Sequence, residues 1–189
     1  VMLSLALGLV FGGLSLYIGA AANFVMEILG LPETAFAWMF IPLIGGSMLG
    51  SAISGVLAKQ IAPRVQQRIG YGALLLGCAS NVLYYLLTAV PVVPWAVLPI
   101  ACYTLGLALL MPILSLQVMA LFPGMRGLAS SLQGFTQMSV FAIMAGAVVP
   151  QLFHSGLALA LGQCITVVCG MLVWWWSQRS AAAQDAPRS

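Results

Sequence analysis

Charged side chains are scarce in this chain. Lys, Arg, Asp and Glu make up only 5% of its 189 residues, whereas about a quarter of a soluble domain is charged. So few charges cannot build a surface that faces water, and 62% of the residues are hydrophobic. The sequence therefore excludes an ordinary soluble domain and predicts an all-α integral membrane protein whose partner is the lipid bilayer. The net charge of +3 is too small to indicate binding to nucleic acid.

Residues that could form a catalytic, metal or cofactor site are equally rare. The single histidine, His154, falls in a predicted turn far from Ser54, so the two cannot form a hydrolytic pair. Paired carboxylates, a metal-ligand cluster and a phosphate loop are all missing, so we expect no enzyme activity, metal or cofactor. The cysteines lie in apolar runs and are predicted to be packing residues: Cys78, Cys102, Cys164 and Cys169. A channel is weakly supported because no ring of charges is visible.

Turn signals divide the apolar sequence into six runs that are long enough to span a bilayer as helices. The predicted helices are 1–28, 35–58, 69–90, 95–121, 127–153 and 157–177. Gly30 and Pro32 end the first of them, since glycine terminates a helix and proline cannot continue one. The polar tail, 178–189, is predicted to be disordered. The chain starts directly in apolar sequence, so we expect it to be a piece of a longer protein.

The few charges predict the orientation of the helices. Connections between six spans alternate between the two sides of a membrane, and every basic residue falls on one side: Lys59, Arg64, Arg68, Arg126, Arg179 and Arg188. The positive-inside rule makes this side cytoplasmic, with the tail there and with Glu33 and His154 outside.

Placing a polar side chain within a membrane span costs free energy, so each such residue is a candidate for a functional role. Glu27 lies one turn before the outer end of the first helix, where it either snorkels to water, contacts a cationic substrate or holds a proton. The remaining polar residues either bond to a neighbouring helix or together line a wet cavity for apolar substrates: Tyr17, Asn23, Tyr103, Gln117, Gln133 and Gln137.

Small residues recur four positions apart on several helices, which predicts close helix packing or a surface that slides during transport. The rows are Gly8 with Gly12, Gly46 with Gly50 and Ser54, Ser47 with Ser51 and Gly55, Ser130 with Gly134, and Ala142 with Gly146.

Three segments resemble the major facilitator superfamily. Residues 55–64, GVLAKQIAPR, resemble a degenerate second copy of its Gly-x-Leu-Ala-Asp-Arg-x-Gly-Arg motif, with Lys59 in place of the Asp. Residues 123–137, PGMRGLASSLQGFTQ, resemble the loop and start of helix eleven in drug:proton antiporters of the bicyclomycin/chloramphenicol-resistance branch. Residues 17–40 resemble helices seven and eight of the same branch.

The resemblance implies the C-terminal half of a proton-coupled multidrug efflux carrier in a bacterial inner membrane. Two inverted three-helix repeats and alternating access against a missing N-terminal six-helix half are then expected. Candidates for the gating loop are Gly55, Lys59, Arg64 and Arg68. Candidates for the substrate cavity, carried over by helix, are Tyr17, Asn23, Phe24, Phe40, Tyr103, Gln117, Gln133 and Gln137, beside Glu27. A hydrophobic or cationic substrate and the proton gradient are implied; the alternatives are a metabolite carrier and a half-size membrane module that does not transport.

Overall fold

The computed structural model describes residues 2–88 and 90–184, and for residue 178 and residues 180–184 it describes the backbone alone. All regular secondary structure in these ranges is helical, as predicted. The α-helices are α1 Met2–Gly19, α2 Ala21–Asn23, α3 Ala37–Gln60, α4 Pro63–Leu87, α5 Leu98–Ala120, α6 Arg126–Ile143, α7 Val149–Leu152 and α8 Gly156–Gln184. A π-helical turn covers each of Phe24–Ile28 and Met144–Val148, and a 3-10 turn covers Glu33–Phe36.

Six segments of the described chain are long and apolar enough to cross a membrane, which confirms the predicted number of spans. They are Met2–Gly19, Glu33–Gln60, Pro63–Leu87, Leu98–Ala120, Arg126–Leu152 and Gly156–Ser177. These lengths and compositions are those of a multi-pass membrane protein. The predicted tail starts inside α8, which continues to Gln184, and residues 185–189 lie outside the described part of the chain.

The charged residues divide between the two ends of the bundle. We call the end that holds Lys59, Arg64, Arg68, Arg126 and Arg179 the basic end. The amide of Gln117, near the end of α5, reaches Gln67, near the start of α4, so these turns lie at the same end. Glu27, Glu33 and His154 lie at the opposite end, and Arg188 is outside the described residues.

The basic stretch 59–68 is helical rather than the predicted loop. Only Ile61 and Ala62 join α3 to α4, because Pro63 takes the first position of α4, where a missing N–H is tolerated and φ is already helical. Gln66 folds back, and its Nε2 donates to the Oγ of Ser54 at 2.8 Å. This bond ties the two helix ends together.

The proposed gating-loop residues therefore do not share a loop. Gly55 and Lys59 lie in the last turns of α3, while Arg64 and Arg68 lie in the first turns of α4. The ammonium group of Lys59 is exposed at the C-terminal end of α3, where the partial negative charge of the helix end favours a cation.

The first and fifth spans are interrupted rather than continuous. The predicted helix 1–28 breaks at Ala20 and finishes in a π-helical turn, and Gly30 then takes the left-handed conformation, with φ of 63°, that reverses the chain. In the fifth span the π-helical turn precedes Pro150, which has no N–H to donate. The side-chain amide of Gln151 donates a hydrogen bond to the Ala147 carbonyl oxygen at 3.0 Å. This carbonyl group of the π-helical turn therefore has a hydrogen-bond partner.

Two helices, α1 and α5, form the centre of the bundle. The spans that contain them are the most buried of the six, and the spans of α3 and α6 are the least buried. The largest contacts of α1 are with α8 and α6, and the largest contacts of α5 are with α4 and α3. α4 also packs on α8, so the outer helices close the bundle on one side.

Glycines allow the closest of these contacts. A Cβ at Gly46 would lie within 3 Å of the Ala101 backbone, and one at Gly50 would meet the backbone of Leu105, both across the α3–α5 contact. Gly106 of α5 lies equally close to the backbone of Leu74 on α4. These contacts confirm the packing role predicted for the row that contains Gly46 and Gly50.

The small-residue rows of α6 do not pack inside this bundle. A Cβ at Gly134 or at Gly146 would meet nothing within 4 Å, and Ser130 and Ala142 are exposed. These rows thus lie on an outer surface of the described chain.

Candidate substrate groove

An open groove of about 520 Å³ lies between α1, α3 and α5. Its volume falls in the range of roughly 300–1,000 Å³ that is usual for small-molecule sites. The walls are apolar, with a few hydroxyl groups set among them, and include Phe11, Leu43, Ser47, Ser51, Thr104, Leu107 and Met111. None of the lining residues is charged, so the groove suits the uncharged, apolar parts of a ligand.

One face of α3 supplies the polar side of this groove. Ser47, Ser51 and Gly55 follow one another at four-residue spacing, so they lie along the same side of the helix. A Cβ at Gly55 would meet nothing within 4 Å, which leaves this row open. The neighbouring row, Gly46 with Gly50, is instead used for packing on α5.

α6 borders the groove through two side chains. The Nε2 of Gln137 approaches the Sδ of Met111 at 3.8 Å, and the Phe141 ring lies 6.2 Å from the ring of Phe11. Both partners line the groove. Gln137 is thus a predicted cavity residue that borders the groove.

Near the basic end, glutamines connect the helices in pairs. Gln66 bonds to Ser54 as described, Gln117 Nε2 donates to Gln67 Oε1 at 3.4 Å, and Gln133 Nε2 donates to Ser115 Oγ at 2.7 Å. These bonds join α4 to α3, α5 to α4 and α6 to α5. For Gln117 and Gln133 the structure thus shows the hydrogen bond to a neighbouring helix that was one of the two hypotheses.

Three predicted cavity residues are inside the bundle and do not face a cavity. Tyr17, Phe24 and Tyr103 have no exposed surface. The hydroxyl of Tyr103 donates to the Val10 carbonyl oxygen, and the rings of Tyr17 and Phe24 pack edge to face at 5.2 Å. The hydroxyls of Tyr17 and Tyr103 bond to neighbouring helices, at Asn81 of α4 and Val10 of α1, and neither residue lines the groove.

Tyr17 belongs to a buried polar cluster that the sequence reasoning missed. The Nδ2 of Asn81 donates to the Tyr17 hydroxyl at 2.6 Å and to the Oε1 of Gln163 at 2.9 Å, and all three side chains have no exposed surface. They lie on α1, α4 and α8. The sequence does contain a signal for Asn81 and Gln163, because each is an amide side chain inside an apolar run, like the other glutamines.

The other candidates lie towards the end opposite the basic end. Glu27 is exposed and lines a separate groove of about 340 Å³ with His154. The Phe40 ring lies 6.4 Å from the Phe36 ring and is tilted against it, and Asn23 is half-buried in the short α2. None of Glu27, Phe40 and Asn23 lines the central groove.

The chain matches no protein-family model, and comparisons with curated proteins and with solved structures give no match. Any assignment of function therefore depends on the geometry of the bundle and on the resemblance of the three sequence segments.

Proposed function

We propose that this chain is the C-terminal six-helix half of a carrier of the major facilitator type, which exports hydrophobic or cationic small molecules. Efflux would be driven by the proton gradient, as in the drug:proton antiporters that the sequence resembles. The groove between α1, α3 and α5 would then be this half's share of the substrate cavity, and a second, N-terminal half would complete it.

The pattern of helix contacts is the observation that carries this proposal. An inverted repeat would relate α1, α3 and α4 to α5, α6 and α8 in that order. Exchanging the triplets turns the α5–α4 contact into α1–α8 and the α5–α3 contact into α1–α6. These four are the most extensive contacts in the bundle, and the next, between α4 and α8, is one that the exchange leaves unchanged.

The exposed sides of α3 and α6 support the need for a partner half. Their spans are the least buried of the six, and α6 exposes large apolar side chains such as Leu132 and Phe135 beside the open Gly134. In a carrier of this type, these helices would contact the N-terminal half, and the small residues would allow the two halves to slide.

The chemistry of the groove supports an apolar or amphipathic substrate. Hydroxyl groups of Ser47 and Ser51 stand among Phe11, Leu107 and Met111, and a strongly polar solute would find too few partners there. A metabolite such as a sugar is therefore the weaker alternative. The groove has no carboxylate among its lining residues, so a proton-binding acid would lie outside it, at Glu27 or in the partner half.

A pair of tryptophan substitutions in the full-length protein tests the assignment of the groove. Ser51→Trp places a large ring in the groove and should reduce drug efflux from bacterial cells at least about tenfold, the loss expected when a site is sterically filled. Leu76→Trp, on the outer surface of α4 and away from the exposed sides of α3 and α6, is the control and should leave efflux within about twofold, because substitutions at exposed surface positions usually have small effects.

Membrane abundance of both variants is measured with an epitope tag, and efflux is repeated with the proton gradient collapsed. Normal efflux by a well-expressed Ser51→Trp variant would remove the groove from the transport path. Efflux that survives collapse of the gradient would contradict proton coupling and leave the groove assignment intact.

A further inference from the structure

A second cavity, of about 670 Å³, lies at the basic end between α4 and α8. It shares no lining residue with the central groove. Its polar side chains are Arg64, Gln67, Arg68, Tyr71, Gln117 and Trp174, and Leu75 and Met171 add apolar wall. Arg64 and Arg68 were candidates for the gating loop and Gln117 for the substrate cavity, but none of them lines the groove proposed for transport.

Several polar atoms of this cavity have no hydrogen-bond partner in the described part of the chain. They are the Nε2 of Gln67, the hydroxyl of Tyr71, the Nε1 of Trp174 and the Oε1 of Gln117. Gln67 is 3% exposed and Tyr71 is 5% exposed, so bulk water cannot readily hydrogen-bond to their polar atoms. Three of the four groups can donate, and buried donors without a partner are unfavourable.

Positively charged side chains lie beside these donors. Arg64 and Arg68 are four residues apart, so both lie on the same face of α4, and both are exposed. The guanidinium group of Arg179 stacks on Trp175, with its Cζ 3.5 Å from the ring centroid, and Trp175 also lines the cavity. Glu27 and Glu33, the acids in the described chain, lie at the opposite end, so neither neutralises these cations.

We propose that this cavity binds the phosphate group of an anionic phospholipid. Arg64 and Arg68 would pair with the phosphate oxygens, and the hydroxyl of Tyr71 and the Nε1–H of Trp174 would donate to the headgroup. The lipid is favoured over free phosphate because Leu75 and Met171 provide apolar wall for the start of an acyl chain. The charge of the cavity also matches the leaflet that basic segments of membrane proteins usually face.

Quenching by brominated lipids tests this site in the full-length protein. In a background where the other tryptophans are replaced by Phe, Trp174 and Trp175 report on lipid that occupies the cavity. Brominated phosphatidylglycerol should be preferred over brominated phosphatidylcholine by about thirtyfold, the preference that two surface cations generate. In Arg64→Gln/Arg68→Gln the preference should fall to about unity, whereas Arg126→Gln, a basic-end residue outside the cavity, should retain it.

Thermal unfolding in detergent provides an independent measurement. Added phosphatidylglycerol should raise the Tm of the wild type and of Arg126→Gln, but not the Tm of the double variant. Equal quenching by the two lipids, or an unchanged preference in the double variant, would overturn the proposal. An equal rise in Tm with inorganic phosphate would show a site for soluble anions instead of lipid. Efflux by the same proteins is measured separately, so loss of lipid binding and loss of transport remain distinguishable.

Discussion

At the scale of single residues, the cluster of Tyr17, Asn81 and Gln163 determines how three helices meet. Asn81 donates two hydrogen bonds through the same Nδ2, to side chains on α1 and on α8. Its own Oδ1 and the Nε2 of Gln163 have no partner in the described structure. The cluster therefore links α1, α4 and α8 while part of its hydrogen-bonding capacity stays unused, which limits how much it can stabilise the bundle.

Removing the two amides in turn measures how strongly they are coupled. Asn81→Leu or Gln163→Leu alone leaves a buried polar partner and should destabilise the protein by about 1–3 kcal/mol. The double variant removes both polar groups, so its cost should be smaller than the sum of the single costs, with a coupling of about 0.5–2 kcal/mol. Unfolding in SDS, followed by circular dichroism, gives these free energies.

Strict additivity of the two substitutions would show that the bond between Asn81 and Gln163 contributes nothing measurable. The Ser80→Ala variant serves as the control, because its hydroxyl bonds only to carbonyl oxygens of its own helix, at Leu76 and Gly77. It should change the free energy of unfolding by about 0.5 kcal/mol or less.

At the scale of elements, α3 uses two adjacent faces for different purposes. Gly46 and Gly50 bring its backbone against α5, whereas Ser47 and Ser51 line the groove. The sequence shows both rows at the same four-residue spacing, so it cannot say which packs and which stays open. That choice depends on the rotation of the helix in the bundle, which is set by tertiary contacts.

The neighbours Gly45 and Gly46 allow a matched test of this difference. A Cβ at Gly46 would collide with the Ala101 backbone, which has no freedom to move aside, while a Cβ at Gly45 would meet nothing within 4 Å. Gly46→Ala should therefore destabilise the protein by about 1–3 kcal/mol, the usual cost of overpacking. Gly45→Ala should not destabilise it, since alanine is the better helix former.

The same SDS unfolding measurement applies to both variants. Equal effects at Gly45 and Gly46 would contradict the close contact between α3 and α5 and, with it, the position of the groove beside that contact.

Helix number and approximate position could be predicted from the sequence, because long apolar runs between Gly and Pro signals are local features. The start of α4 could not be predicted in this way. Arg64 and Arg68 gave the stretch the composition of a polar loop, although Pro63 begins a helix there. The candidate site was less predictable. Gln137 borders the groove, but Tyr17 and Tyr103 lie inside the bundle, because the sequence gives residue types without the rotation of each helix.

At the scale of the whole molecule, the arrangement of charge predicts how the bundle lies in a membrane. Lys59, Arg64, Arg68, Arg126 and Arg179 are gathered at the basic end, and Glu27, Glu33 and His154 lie at the other. Basic connections near spans are retained in the cytoplasm. The proposed orientation therefore places the turn at Ala62 inside the cell and the turn at Ser155 outside.

Single cysteines at these two turns test the orientation, in a background where the four native cysteines are replaced by Ala. Both positions are exposed, unlike the neighbouring Gln66, which is 1% exposed. A membrane-impermeant maleimide should label Ser155→Cys in intact spheroplasts and Ala62→Cys only after permeabilisation, because the thiolate reacts only where water and reagent reach it. Leu76→Cys, on the outer surface midway along α4, is the control and should stay unlabelled in both conditions, since lipid surrounds it. The reverse pattern would invert the topology and put the proposed phospholipid site in the outer leaflet, and labelling of both turns from outside would contradict six spans.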